Sequence, residues 1–377
     1  GLPSLHHADE VLAAETVEVF VRHVTLTNFR NYEHTEINFA RGTTAVLGKN
    51  GQGKTSLVEA IGFLASLRSF RNVPNDSMIR IGHETAIIRA DVVHDDGREL
   101  LIESEINRTG RNRMLVNKQL LRRGRDLLGV LRTTVFSPDD LAIVKEGPAL
   151  RRDLIDDALV AIDPRFDSVR TEVDRVIRQR NVLLKQAGGR LTDEISTTLD
   201  VWDEKLVASG NAMGERRAEL IAKMNAEVPK AYDQLAEKHS AVELIYEPQW
   251  RARGLAHALA DARTDDVRRG VSTVGPHRDD IDLFINGLSA RFHASQGEQR
   301  SLVLALRLAV HRMVADVVGS APVLVLDDVL SELDHDRAKA LIANLPPGQV
   351  IITSASGVPD EAQPDSVVRI AAGEVVS

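Results

Sequence analysis

A glycine-rich run near residue 50 has the residue types and the spacing of a phosphate-binding loop. Residues 48–55 read GKNGQGKT and match G-x-x-x-x-G-K-[ST] in full. Glycines allow a tight loop whose backbone N–H groups converge on phosphate oxygens, and a following helix directs the positive end of its dipole at the same anion. We therefore predict a nucleotide-binding loop made of Gly48, Lys49, Asn50, Gly51, Gln52, Gly53, Lys54, Thr55 and Ser56. In such a loop Lys54 bridges the β and γ phosphates, and the Thr55 hydroxyl is a ligand of Mg²⁺.

A pair of aspartates follows an apolar strand late in the chain. Residues 323–326 read VLVL and lead directly into Asp327 and Asp328. A nucleotide site needs a metal-holding carboxylate at the end of such a strand, so Asp327 should hold Mg²⁺, directly or through water. Asp328 stands where a general base would orient the attacking water. A turn or a helix N-cap uses the same residue types, but the phosphate loop favours the nucleotide site. The candidate catalytic residues are thus Lys54, Asp327 and Asp328, and the candidate metal ligands are Thr55 and Asp327.

A third motif opens a strongly apolar helix about thirty residues before the aspartates. Residues 293–300 read HASQGEQR, and a serine and a glycine at a helix N-terminus form an anion site. Ser295 and Glu298 also have the spacing of a capping box, and on their own these residues favour an ordinary helix cap over an anion site.

The elements that must position these residues can be read from hydrophobic periodicity. Residues 19–29 and 35–40 alternate around a polar turn, which predicts an antiparallel pair of strands. Residues 43–47 form a short apolar strand that runs into Gly48, and residues 56–67 have helical spacing. The phosphate loop therefore lies between a strand and a helix. The end of the chain, residues 322–370, alternates apolar strands with a helix, which is an α/β pattern.

Two long runs in the middle of the chain are predicted to be helical. Between residues 164 and 184, and again between 199 and 235, apolar side chains recur on one helical face. Gly188 and Gly189 break the pattern between the two runs. We expect an antiparallel helical pair or a compact bundle.

Composition excludes several classes of protein. The chain has 377 residues, 43% of them hydrophobic, and no cysteine, so disulfide frameworks and cysteine-ligated zinc or iron–sulfur sites are excluded. No stretch approaches the ~18 to 20 apolar residues of a membrane helix, so we expect a soluble, cytoplasmic protein with no membrane partner. Residues 1–18 lack a basic start followed by an apolar core and do not resemble a secretory signal. They are expected to be a leader or an expression remnant.

Charge is unevenly distributed along the chain. The formal net charge is −8, which argues against coating of nucleic acid by bulk positive charge. Residues 108–190 nevertheless contain 18 Lys and Arg against 11 Asp and Glu. This excess fits a surface that contacts DNA phosphates, but it also fits a solvated hairpin edge whose cations discourage strand aggregation. The candidate DNA contacts are Arg111, Arg113, Arg122, Arg123 and Arg125.

Several motifs together resemble one family of ATPases. Residues 295–299 are similar to the signature motif of ATP-binding-cassette (ABC) ATPases, and residues 331–334 are similar to their D-loop. Within that superfamily the chain resembles the RecF family, bacterial recombination mediators related to the SMC and Rad50 ATPases. The stretches that carry this likeness include LTNFRNY (26–32), FSPDDLAIVKEGPALRRDLID (136–156) and VGPHRDDI (274–281). The resemblance assigns a signature of Ser295, Gln296, Gly297, Glu298 and Gln299, and a D-loop of Ser331, Glu332, Leu333 and Asp334.

The resemblance implies a fold and a domain division. The expected fold class is α/β: an ABC-type P-loop ATPase head of mixed sheet and helices, built from both chain ends, with an inserted α+β and helical lobe. The head is expected to comprise residues 19–105 and 287–377. The inserted lobe is expected at residues 106–286, with helical arms at 163–240.

The resemblance also implies a mechanism and partners. Two monomers are expected to sandwich two ATP molecules, with the phosphate loop and Asp327 of one facing Ser295 and Gly297 of the other. Its cofactors would be ATP and Mg²⁺. Slow hydrolysis would release the dimer. The implied role is DNA replication and recombinational repair at single-stranded, gapped or junction DNA, in the cytoplasm at the nucleoid. RecR and RecO-like proteins would be partners in recombinase loading and the SOS response.

Departures from the ABC pattern predict weak turnover and keep alternatives open. Asp328 replaces the usual catalytic glutamate, residues 353–356 lack the usual switch histidine, and residues 136–141 lack the usual glutamine. An ATP-gated scaffold with negligible hydrolysis remains an alternative. So does an SMC or Rad50-like head with a tethering role, although Lys54 and Ser295 are only 241 residues apart. A transporter cassette is disfavoured by the long basic segment between the motifs.

Overall fold

Runs of strands and runs of helices follow one another along the described chain. The computed structural model describes residues 18–376, so the predicted leader at residues 1–18 lies outside them except for Glu18. The strands are β1 (Val19–Phe29), β2 (Tyr32–Asn38), β3 (Thr43–Leu47), β4 (Thr85–His94), β5 (Glu99–Asn107), β6 (Arg113–Val116), β7 (Gln119–Leu120), β8 (Thr133–Phe136), β9 (Val242–Ile245), β10 (Asp282–Ile285), β11 (Leu288–Ser289), β12 (Val323–Asp327), β13 (Val350–Ser354), β14 (Ser366–Ala371) and β15 (Glu374–Val375).

Helices join and cover these strands. They are α1 (Lys54–Ser66), α2 (Ala142–Lys145), α3 (Ala149–Ile162), α4 (Phe166–Ala187), α5 (Asp193–Leu235), α6 (Gln249–Arg253), α7 (Leu255–Arg269), α8 (Ala290–His293), α9 (Gln296–Val318) and α10 (His335–Ala343). Within residues 18–376, no helix has the length and the apolar character needed to cross a membrane.

One largely parallel sheet brings the two predicted phosphate motifs to the same edge. Its strand order is β15-β14-β3-β13-β12-β8, and β13 lies between β3 and β12, parallel to both. Strand β12 is buried along its whole length, which explains its uninterrupted apolar run. Since β3 ends at the phosphate loop and β12 ends at Asp327, both motifs lie at the carboxyl edge of this sheet.

A second six-stranded sheet packs beside the first and contains the predicted antiparallel pair. Its order is β2-β1-β4-β5-β6-β7, and every neighbouring pair is antiparallel. Its inner face shares an apolar core with α1, so the helix that follows the phosphate loop lies between the two sheets.

The long helices occur where periodicity predicts them. Helix α4 ends at Gly188, whose φ of 58° is the left-handed conformation that favours glycine at a helix end. Helix α5 begins after the Thr192 side chain, which accepts a hydrogen bond from Ile195 N. Helix α5 packs on both α4 and α9, so one apolar core runs from the helical lobe into the sheet that carries the phosphate motifs.

The predicted boundary of the inserted lobe at residue 106 does not match the pairing of the strands. Strands β6 and β7 extend the antiparallel sheet of the head, and β8 pairs with β12 in the parallel sheet. Residues 113–136 therefore belong with the head. Periodicity marks a strand but not its pairing partner, and this is why the sequence could not place the boundary.

Two of the stretches that carry the family likeness meet at a buried arginine. Arg217 on α5 donates to both carboxylate oxygens of Asp156, each at 2.8 Å, and to the Pro276 carbonyl at 2.8 Å. Asp279 accepts from the Tyr246 hydroxyl at 2.7 Å and lies 3.4 Å from Arg217. Because an unpaired buried charge is costly, this network fixes α3, α5 and the 274–281 segment relative to one another.

Candidate functional site

The phosphate loop has a backbone that requires glycine at its last position before α1. Gly53 has φ 119°, and a Cβ there would lie 2.7 Å from the Tyr32 hydroxyl oxygen. The same hydroxyl donates to the Gly53 carbonyl at 2.7 Å. Tyr32 therefore holds the loop against the turn between β1 and β2, directly before the first turn of α1.

Not every predicted loop residue faces the nucleotide side. Gln52 bonds instead to the turn after β14, since its side-chain oxygen accepts from Ala372 N at 2.6 Å. Its backbone carbonyl accepts from Gly373 N at 2.9 Å. Gly48 packs on β14, where a Cβ would lie 2.4 Å from the Ile370 carbonyl oxygen. Gly48 and Gln52 thus anchor the loop, and Lys49 is exposed.

Lys54 lies at the bottom of a cleft and is only 3% exposed. Its ammonium nitrogen lies 3.4 Å from Asp328 Oδ1 and 3.5 Å from Asn50 Oδ1. Both contacts are at the long end of the hydrogen-bond range, so neither holds the ammonium tightly. The cation can move toward an anion in the cleft.

Asp327 accepts two hydrogen bonds from threonines at the sheet edge. Its Oδ1 lies 3.1 Å from Thr55 Oγ1 and 2.7 Å from Thr353 Oγ1. Burial raises the pKa of Asp327, and the neighbouring Asp328 charge raises it further, while the hydrogen bond from Thr353 opposes the shift. The two predicted metal ligands, Thr55 and Asp327, are therefore in direct contact.

Asp328 adopts a conformation that is unusual for a residue other than glycine. Its φ is 52°, and its backbone N donates to the carbonyl and to the hydroxyl of Thr353 at 3.2 and 3.1 Å. This turn directs the Asp328 carboxylate at Lys54. Backbone strain of this kind persists only where the surroundings enforce it, and it concentrates at functional sites.

Thr353 is a site residue that sequence reasoning missed. It stands at the end of β13, within the segment where the switch histidine was absent, and it contacts both aspartates. A threonine after an apolar strand has no distinctive pattern, and only the parallel pairing of β12 with β13 reveals its role.

The cleft above these residues has a volume of ≈ 940 Å³. The predicted residues that line it are Asn50, Gly51, Gly53, Lys54, Thr55, Ser56, Asp328, Ser331 and Glu332. Ser331 and Glu332 are the first half of the predicted D-loop. Its second half behaves differently, because Asp334 caps α10 by accepting from Arg337 N at 2.9 Å.

A buried glutamate organises three side chains beside the cleft. Glu59 on α1 is fully buried and accepts two hydrogen bonds from Arg30, at 2.9 and 2.8 Å, and one from Ser69 at 2.5 Å. Arg71 lies 4.0 Å from the same carboxylate, and both arginines line the cleft. The sequence signal that could have identified Glu59 is that it is a single acidic residue among the apolar residues of α1.

The signature segment forms the capping box that its spacing predicts. Ser295 Oγ accepts from Glu298 N at 3.1 Å, and Glu298 Oε1 accepts from Ser295 N at 2.9 Å. Residues 295–299 do not line the cleft of their own chain. The structure thus brings the phosphate loop, the aspartates and part of the D-loop together, and it leaves the signature on a different surface.

Contacts of Arg337 and Arg300 connect the start of α9 to the D-loop segment. A Cβ on Gly297 would lie 2.8 Å from Arg337 Nη2, so the guanidinium packs directly on this glycine and would have to shift for a larger residue. Arg337 also donates to Ser301 at 2.9 Å and to Asp334 at 2.5 Å. Arg300 donates to the Glu332 carbonyl at 2.7 Å. Movement of the D-loop would therefore move the signature.

The candidate DNA arginines lie on the edge of the antiparallel sheet and on the turn that follows it. Arg113 pairs with Glu105 at 3.1 Å, and Arg123 lies 3.4 Å from Asp126. Arg111 and Arg122 are exposed, and Arg125 is partly exposed. Their position corrects the expectation that the basic surface belongs to the inserted lobe.

A phosphate loop between β3 and α1, an acidic strand end on β12 and a separate signature surface define the head of an ABC-type ATPase. The RecF/RecN/SMC N-terminal domain family matches residues 20–373. This chain belongs to the RecF branch of that family, as its relatives indicate.

The relatives resemble this chain over most of its length. The DNA replication and repair protein RecF of Streptomyces avermitilis is 43% identical over 353 residues, covering 89% of this chain and 93% of the relative. Its counterpart in Cutibacterium acnes is 39% identical over 373 residues, covering 91% and 94%.

Solved structures give the same result for the fold. The recombination mediator protein RecF with ATP is 30% identical, with a TM-score of 0.84 over 96% of this chain and 99% of that one. An SMC head domain from Pyrococcus furiosus is 16% identical, with a TM-score of 0.56 over 95% and 96%. The second likeness concerns the fold alone.

Proposed function

We propose that this protein is an ATP-dependent, dimerising DNA-binding protein of replication and recombinational repair, and a weak ATPase. The observation that carries the proposal is the meeting of Lys54, Thr55, Asp327 and Asp328 at one end of the cleft in a member of the RecF family. The RecF structure that was solved with ATP supports the choice of nucleotide.

The side chains present fit ATP and Mg²⁺. Lys54 offers a buried ammonium that is only loosely held, which suits the β and γ phosphates. Thr55 and Asp327 offer two oxygen atoms 3.1 Å apart, the ligand type that Mg²⁺ prefers. When bound, the ion neutralises charge on the phosphates. Asp328 would accept the proton of the attacking water.

Dimerisation explains why the signature lies away from the cleft of its own chain. Ser295 Oγ and the first N–H groups of α9 form a second anion site, and a two-fold dimer would place it over the partner's nucleotide. ATP would then stabilise the dimer, and hydrolysis would release it. Single-stranded, gapped or junction DNA would bind to the dimer through phosphates, with RecR and RecO-like proteins as partners in the cytoplasm at the nucleoid.

A scaffold that binds ATP with negligible hydrolysis is the second candidate. The observation that favours it is Asp328 itself, whose side chain is one methylene shorter than that of the usual catalytic glutamate. The tethering role of an SMC-like head has less support, since α5, with 43 residues, spans only about 65 Å.

Sedimentation velocity with and without ATP, and with and without gapped DNA, tests the proposal. The wild-type protein should be a monomer without ATP and a dimer with it, and the dimer should bind gapped DNA. Lys54→Met should lose ATP binding and the dimer together. A Lys54→Met protein that still dimerises with ATP would refute the role of the loop.

A further inference from the structure

Two large apolar side chains project from the two surfaces that the proposed dimer would bring together. Of the large hydrophobic residues within 18–376, Ile81 is the most exposed at 94%, and Phe292 is the next at 72%. Ile81 lines the rim of the nucleotide cleft. Phe292 lies on α8, three residues before Ser295 of the signature.

Ile81 is held outward on a rigid turn. Residues 80–83 form a β-turn closed by His83 N donating to Arg80 O at 3.0 Å, with Gly82 at φ 85° beside Ile81. The Arg108 guanidinium donates to the carbonyls of His83 at 2.7 Å, Ile79 at 3.4 Å and Arg80 at 3.5 Å. Arg108, part of the basic segment, thus stabilises the turn that presents Ile81.

Phe292 is held just as firmly. The buried side chain of Gln299, a signature residue, donates to the carbonyls of Ala290 at 2.9 Å and Arg291 at 3.4 Å, which fixes α8 on α9. Arg291 donates to the Lys145 carbonyl at 3.1 Å, and its guanidinium lies 5.1 Å from the centre of the Phe292 ring. The backbone that carries the aromatic ring is therefore fixed in place by these contacts.

Rigid, exposed apolar side chains are the anchors that dominate protein interfaces, because they lose little freedom on binding. In a two-fold dimer each surface meets its complement twice, so the cleft rim of one subunit faces the signature side of the other in both halves. We infer that Phe292 of each subunit packs against Ile81 of the other, forming two apolar contacts at the margins of the ATP sandwich. This inference rests on the proposed function.

Mixing two variants tests the contact directly. Ile81→Asp and Phe292→Lys should each weaken ATP-dependent dimerisation by about 30-fold or more, because each breaks both contacts of a homodimer. An equimolar mixture should dimerise more tightly than either variant alone, since the heterodimer keeps one Ile81–Phe292 contact intact and pairs two opposite introduced charges at the other. Val201→Asp is the control. Val201 is also an exposed apolar residue, but it lies on α5, so this substitution should leave the dimer unchanged.

The outcomes separate the contact from the proposed function. ATP binding by the Phe292→Lys monomer, measured by fluorescent-nucleotide titration, should stay at the wild-type value, because Phe292 does not line the cleft. If wild type dimerises and Ser295→Arg blocks it, but Ile81→Asp or Phe292→Lys dimerises normally, the contact is refuted and the function stands. No gain in dimerisation on mixing the two variants also overturns the contact. A wild-type protein that stays monomeric with ATP overturns both.

Discussion

Lys54 Nζ lies 3.4 Å from Asp328 Oδ1, although the two residues are 274 positions apart in the chain. The contact forms because β3 and β12 run parallel on either side of β13 and end at the same edge. Lys54 is therefore held beside the carboxylate that would accept a proton from water. Binding of a triphosphate would draw the ammonium toward the anion and free Asp328.

Replacing Asp328 with asparagine should separate nucleotide binding from hydrolysis. The amide keeps the size of the side chain but accepts no proton, so ATP hydrolysis should fall by about 100-fold or more. ATP should bind at least as well, because one negative charge near the phosphates is removed. Phosphate release measures hydrolysis. Sedimentation with ATP measures the nucleotide-dependent dimer, which should persist longer than the wild-type dimer. Asp328→Glu, which keeps the carboxylate, should retain hydrolysis. Wild-type hydrolysis in Asp328→Asn would show that Asp328 is not the general base.

Ser295→Arg should block ATP-dependent dimerisation and leave nucleotide binding by the monomer intact. The reason is that Ser295 lies outside the cleft of its own chain and would meet only the partner's nucleotide. Because the substitution also removes a helix cap worth about 1 kcal/mol, a second variant is needed. Ser295→Asp keeps a capping oxygen but repels phosphate, so it should fold normally and still fail to dimerise. Simultaneous loss of monomer binding in both variants would contradict a signature that acts in trans.

Charge reversal of Arg122, Arg123 and Arg125 should weaken DNA binding and reduce its dependence on salt. Each phosphate contact that is lost should lower the slope of log K against log salt by about 1. Fluorescence anisotropy with gapped DNA at several salt concentrations measures this slope. The matched control reverses Lys223, Lys230 and Lys238, which are exposed on or just after α5. An unchanged slope in the arginine variant would place the DNA surface elsewhere.

The sequence predicts most of the site because local patterns specify its parts. The glycines of the loop, the apolar run before Asp327 and the capping box at Ser295 all have the geometry expected from their spacing. Thr353, Tyr32 and Glu59 were missed because their roles depend on contacts between distant segments. For the same reason, pairing of β8 with β12 could not be read from periodicity.

Two histidines are buried in a neutral form, and this makes stability depend on pH. Burial lowers the pKa of His311 to about 4, and it lowers the pKa of His277 to the same value. His311 lies on α9, where its Nδ1 is 2.7 Å from Thr134 Oγ1 on β8. Because its pKa is lower when the chain is folded, the unfolded chain binds more protons between pH 6.5 and 4. The stabilisation is complete above pH 6.5 and is lost as the pH falls toward 4.

His311→Gln should therefore make folding less sensitive to acid. At pH 5 the cost of keeping His311 neutral is about 2 kcal/mol, so wild type should lose about that much more unfolding free energy between pH 7 and pH 5 than the variant does. Urea denaturation at the two pH values measures this difference. Carboxylates titrate in both proteins, so their contribution to the pH dependence cancels when the two are compared. His335→Gln, which changes an exposed residue on α10, should behave as wild type. Equal losses in wild type and His311→Gln would show that His311 takes up its proton without unfolding the α9–β8 contact.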